Sequence, residues 1–145
     1  MNKLYSGINK VGAKLQKTIR DKFQQSGLRK THQRIQIAEI LFSGPSMHFT
    51  ANHIYEMVKK KKLNISLATI YNTLRDFSDK KLINEIIFEP SRNWYDTCLE
   101  EHHHFFNSKT QKLIDINKND ISLRSYPKPP NGYTIKKYNI VIEIE

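Results

Sequence analysis

Cysteine is all but missing. Cys98 is the only one among 145 residues, which excludes an internal disulfide and any metal site built from several thiolates. A chain so composed suits the reducing cytoplasm. Long apolar runs are missing too. Nothing approaches the ~20 consecutive apolar residues that span a bilayer, and the first residues hold no apolar signal core. No membrane partner is therefore expected. Acidic residues are scarce in one part only. Residues 1–88 carry 16 Lys/Arg against 6 Asp/Glu, while residues 89–145 carry 8 of each, so the net charge of +10 belongs wholly to the first part. Such an imbalance points to a polyanion met by one half while the other half does something else. There is no internal repeat or low-complexity segment, and the length suits one domain or two small ones.

What is present begins with helical periodicity. Leu4, Ile8, Val11, Leu15, Ile19 and Phe23 recur at steps of three and four, with Lys10, Lys14, Lys17, Arg20 and Lys22 off that stripe, which predicts a basic amphipathic helix over 3–25. After the break at residues 26–30, Thr31, Thr50 and Ser66 are placed to cap three short helices. Their expected inward residues are Ile35, Ala38, Leu41 and Phe42 in the first; Ala51, Ile54, Tyr55 and Val58 in the second; and Leu67, Ile70, Leu74 and Phe77 in the third. Leu82–Phe88 and Asn93–Thr97, joined by the turn Glu89-Pro90-Ser91-Arg92, predict a two-stranded hairpin.

Three short helices followed by a hairpin is the order of a winged helix-turn-helix, whose third helix enters the DNA major groove. That helix would present Ala68, Thr69, Tyr71, Asn72 and Arg75. Thr69 and Tyr71 suit phosphate or a thymine methyl, and Asn72 suits adenine.

The second part centres on Asp96, the run His102-His103-His104 and Asp115. In an extended run His102 and His104 share one face and His103 takes the other. Two imidazoles and two carboxylates could then meet on a divalent cation. A solvated polar turn with incidental histidines is the plainer alternative, and the pattern alone leaves both open. Strands are predicted at 104–106 and 111–116, a short helix or turn at 117–124, and a closing strand over 133–145 with Tyr138, Ile140, Ile142 and Ile144 on one face. So small a half cannot bury a core alone, and a homodimer about a two-fold axis would complete it.

The segments GLRKTHQR (27–34), HFTA (48–51), SLATIYNTL (66–74), Tyr95-Asp96, His102–His104 and Ile114-Asp115 resemble the ferric uptake regulator family, in order and over nearly all the chain from about residue 20. Within it, HHHFF, the proline-rich loop before Gly132 and the scarcity of cysteine are most similar to the iron response regulator branch. The resemblance implies an α+β fold, with an N-terminal winged helix followed by a small α/β dimerisation domain. The boundaries would be 1–91 for the winged-helix DNA-binding domain with its basic N-terminal helix, 92–97 for a hinge, and 98–145 for dimerisation and metal or haem sensing. It implies a repressor-type transcription regulator of iron homeostasis, dimeric on double-stranded DNA with a pseudo-palindromic operator.

Carried over residue by residue, the resemblance places a regulatory metal (Fe, Mn or Zn) on His48, Asp96, His102, His104 and Asp115. It also assigns DNA contacts to Arg29, Arg34, Tyr71 and Asn72. Haem, if used, would fall to His102, His103 and His104, because no Cys-Pro motif is present. Many members hold a structural zinc with paired cysteines; the first pair's positions here are Asn107 and Thr110, so a four-cysteine zinc site is excluded. Two alternatives accompany this reading. One is a peroxide- or manganese-sensing regulator of the same family. The other is a metal-dependent hydrolase using the His/Asp cluster, against which no nucleophile or separate general base stands out.

Overall fold

A computed structural model of the protein describes the backbone of residues 2–145 and the side chains from Gly12 onward. The expected positions of Leu4, Ile8 and Val11 on the first helix's apolar stripe lie outside those described side chains. The fold is α+β, and the chain divides after Leu99 into two compact units.

The first unit opens with α1 (Asn2–Ser26), ended by Gly27 at φ 69°, a backbone conformation glycine adopts without strain. Then come α2 (His32–Phe42), β1 (His48–Thr50), α3 (Ala51–Lys60), α4 (Leu67–Asp79), β2 (Asn84–Ile86) and β3 (Trp94–Asp96). Each of the three short helices starts where its cap predicts. Thr31 accepts from the Arg34 N–H at 3.3 Å, Thr50 from His53 at 3.3 Å and Ser66 from Thr69 at 3.1 Å, satisfying donors the first turn leaves open.

Ile19 and Phe23 of α1 join Ile37, Ala38, Ile40 and Leu41 of α2, Ile54 and Val58 of α3, and Ile70, Leu74 and Phe77 of α4 in one buried cluster. Phe23 meets Phe77 edge to face at 5.7 Å. The inward residues of α2 differ from the expected stripe, because Ile37 and Ile40 are buried while Ile35 and Phe42 are only partly so. Neighbours on several sides explain the wider face: α2 packs against α1, α3 and α4.

The hairpin is a three-stranded antiparallel sheet in the order β1-β3-β2, with His48 opposite Asp96 and Ile86 opposite Trp94. The added strand, β1, is three residues long and ends on the residue that caps α3, too short for any alternation to announce it. Only Asn84–Ile86 of the expected 82–88 strand pairs, matching the three residues of β3. Trp94–Asp96, within the stretch read as a hinge, is buried in this sheet.

The second unit holds β4 (His102–Asn107), β5 (Lys112–Asn117), a 3-10 turn at Lys118–Asp120 and β6 (Val141–Ile144). Its sheet has the order β5-β4-β6, with β4 antiparallel to β5 and parallel to β6. The closing strand is shorter than the 133–145 expected. The Ile140 N–H goes to the His103 ring at 3.3 Å and not to a strand partner, so the ladder on that side begins at Val141. No described helix is long and apolar enough to cross a membrane.

Candidate metal centre and nucleic-acid interface

In the first unit, β1 and β3 place His48 and Asp96 as direct cross-strand partners, and the His48 Nε2 lies 3.5 Å from the Asp96 Oδ2. The Asp96 side chain is 2% exposed. Its other oxygen accepts the Cys98 N–H at 2.7 Å. Burying a carboxylate this deeply costs several kcal/mol, on the order of 5, unless cationic or hydrogen-bonding groups compensate.

The second unit repeats the device. His104 stands opposite Asp115 across β4 and β5. His102, two residues earlier on the same face of the strand, brings its ring centroid within 4.5 Å of that of His104. Asp115 Oδ1 lies 3.3 Å from the His102 Nε2 and 3.9 Å from the His104 Nε2. Behind His102, the Nδ1–H donates to the Glu100 carbonyl at 2.7 Å. That bond leaves a neutral ring's lone pair on Nε2, the form in which histidine binds a metal. A lone pair facing a carboxylate is repulsive unless a proton or a cation stands between them. The residues therefore fit a divalent cation by charge and donor type, with nitrogen and oxygen ligands and no sulfur.

His103 takes the opposite face, as the alternation requires. It is buried, its Nδ1 accepts the Ile140 N–H, and its ring lies 5.6 Å from that of Tyr138. The three histidines named for haem thus divide between two faces of one strand and do not converge on a single ligand. At the positions of the resemblance's first cysteine pair there is a hydrogen-bonded turn: Asn107 Oδ1 accepts the Thr110 N–H at 2.8 Å, and the Asn107 carbonyl accepts from Gln111 at 2.8 Å.

Of the residues expected at DNA, α4 exposes Tyr71, Asn72 and Arg75, which with Glu85 and Tyr95 of the sheet and Asn93 just before β3 line an open cleft of about 310 Å³. Burial pushes the Tyr95 phenol above its usual range. Thr69 is half-buried, and its hydroxyl bonds to Ser66 at 2.9 Å. Arg29 is exposed just past α1. Arg34, also expected at DNA, is tied to its neighbours. Its guanidinium pairs with Asp76 of α4 and donates to the Arg29 carbonyl at 3.1 Å, tying the loop that carries Arg29 to the third helix. Pattern alone could not pair residues 34 and 76.

The wing's tip is also organised. Glu89 Oε1 accepts from the Arg92 Nε and the Trp94 Nε1, both at 2.6 Å. Burial works to raise the Glu89 pKa, but these two bonds outweigh it and hold it below the usual carboxylate range.

Fold and site together define a winged-helix protein followed by a small unit rich in metal-capable side chains. A model of the ferric uptake regulator family matches residues 25–143, and the chain belongs to that family. The peroxide-responsive repressor PerR of Staphylococcus epidermidis is 38% identical over 93 residues, covering 64% of this chain and 61% of that protein. PerR of Staphylococcus aureus strain Mu50 is 36% identical over 93 residues, 64% of this chain and 62% of its own length. The match thus spans less than two thirds of these relatives.

In fold, the chain is similar to the ferric uptake regulator from Pseudomonas aeruginosa with manganese, with a TM-score of 0.66, 20% identity, and coverage of 86% of this chain and 95% of that one. It is also similar to a zinc-bound manganese uptake regulator, with a TM-score of 0.60, 24% identity, and coverage of 87% and 96%. These relatives are named as regulators and not as enzymes, and the hydrolase alternative finds no support among them. They are not named as iron response regulators either.

Proposed function

We propose that this chain is a metal-responsive transcription repressor that binds duplex DNA as a homodimer. His48, Asp96, His102, His104 and Asp115 would together hold one divalent cation, iron, manganese or zinc. The observation that carries this is the imidazole–carboxylate set in the second unit, where His102 and His104 on one face of β4 both turn their Nε2 toward Asp115 Oδ1, at 3.3 and 3.9 Å. The His48–Asp96 pair repeats the chemistry in the winged-helix unit. A bound ion would supply the positive charge that draws imidazoles and carboxylates together.

On DNA, Tyr71 and Asn72 of α4 would read the major groove, Arg29 would meet phosphates or the minor groove, Thr69 would hold the start of α4, and Arg34 would keep Arg29 in place. Supporting a homodimer, Phe105, Ile114 and Ile142 are register neighbours across the second sheet. Ile114 is 50% and Ile142 41% exposed, an apolar face that a second copy would cover.

The name of the sequence relatives, peroxide-responsive repressor, favours peroxide as the signal over haem. Hydrogen peroxide and haemin, added separately to the metal-loaded DNA complex, distinguish these. The function itself is tested by titrating Mn(II) into wild type and Asp115→Asn and following both metal uptake and operator binding. Asp115→Asn should lose about tenfold or more in metal affinity and shift the DNA response by the same factor. Metal affinity unchanged by Asp115→Asn would overturn the site.

A further inference from the structure

Asn72 and Arg75 stand three residues apart on one face of α4. The Arg75 Nη2 donates to the Asn72 Oδ1 at 3.3 Å. Arginine has only donors, so the end of the amide turned toward it must be the oxygen. An asparagine amide free to flip can offer its donor and acceptor in either order. One held by arginine offers them in one order only.

The pair opens onto the cleft shared with Tyr71 and the sheet, where the Glu85 Oε1, held by the Asn93 amide at 2.7 Å, adds negative charge. A wall that includes a carboxylate repels phosphate, so the cleft suits a base edge better than the DNA backbone. Bound by Arg75 through one lone pair, Oδ1 keeps a second for an exocyclic amino group, while Nδ2 donates beside it. A neighbouring donor and acceptor is what adenine presents as N6–H and N7.

We infer that Arg75 is a positioning residue that locks the Asn72 amide so that α4 reads adenine at one place in each half-site. This rests on the DNA-binding reading above and adds the base and the residue that sets its discrimination. Arg75 acts through Asn72 and not on the phosphates.

The test starts with operators selected from random duplexes in Mn(II). It then compares wild type, Asn72→Ala, Arg75→Ala and the double variant by fluorescence anisotropy. The base pair whose preference Asn72→Ala erases should be A·T. Removing either the adenine N6 amino group or its N7 (as 7-deazaadenine) should cost wild type about tenfold. Arg75→Ala should lose about the same discrimination there, the double variant should lose no more than either single, and the salt dependence of Arg75→Ala should match wild type. Unfolding midpoints should be equal throughout.

An equal loss on all DNA with a shallower salt dependence would make Arg75 a phosphate contact and overturn the inference. So would additive losses in the double variant, or a G·C preference at that position. A protein that selects no sequence at all overturns the DNA-binding reading, and this one with it.

Discussion

Arg29 and Arg34 are five residues apart in a basic segment, yet their surroundings differ. Arg29 is exposed, whereas Arg34 is spent on Asp76 and on the Arg29 carbonyl. Arg29→Ala should therefore weaken binding to every duplex and flatten the log–log salt dependence by about one unit. Arg34→Ala should leave that slope nearly unchanged and lower stability by about 1 kcal/mol, the scale of a partly exposed ion pair. Salt titrations and urea melts of both variants check the contrast, and equal slope losses would contradict it. At this scale the sequence was legible where chemistry repeats at short spacing. His102, His104 and their opposite face follow from strand alternation alone. The role of Arg34 was not legible, because it depends on a residue 42 positions away, and His48 was visible only through resemblance, its strand being three residues long.

Among the elements, helix starts were the most legible, since Thr31, Thr50 and Ser66 each cap by a local hydrogen bond. Strand lengths were not, because a partner sets them: β2 is cut to the length of β3, and β6 begins where His103 stops occupying the Ile140 N–H. The start of α3 also carries a pH dependence. His53 Nδ1 accepts the Thr50 N–H at 3.2 Å, which requires an unprotonated nitrogen. Burial first, and then the charge of Arg92, lower the His53 pKa below its ordinary 6.5. The unfolded chain thus takes up the proton before the folded one does. The contribution is complete above pH 6.5 and is lost as pH falls through the lower folded value. Urea midpoints measured from about pH 5 to 8 should show a shallower acid-side decline in His53→Gln than in wild type. A parallel decline would mean that the ring does not act as the cap's acceptor.

For the molecule as a whole, the charge imbalance follows the fold, with a basic winged helix followed by a nearly neutral sheet. The fold class was legible because helix caps, hairpin and histidine strand come in a fixed order. The apolar face of the second sheet was only half legible, since Phe105 and Ile114 join Ile142 through register and not through sequence proximity. Ile142→Asp would place a charge in that face, at a cost of roughly several kcal/mol if a second copy covers it. Sedimentation should then find monomer where wild type is dimer. A clean Ile142→Asp dimer would move the interface elsewhere.

The central claim is that one ion, held from both units, sets the affinity for DNA. A ligand can bias two arrangements only by the difference in its affinity for them, so the ligand contributed by the DNA-binding unit is the one to remove. The decisive measurement is operator affinity against Mn(II) concentration at fixed salt, for wild type and His48→Ala. Wild type should tighten on DNA as Mn(II) rises. His48→Ala should still take up Mn(II) through His102, His104 and Asp115, yet bind DNA with an affinity that no longer follows the metal. A full metal response in His48→Ala would contradict the account.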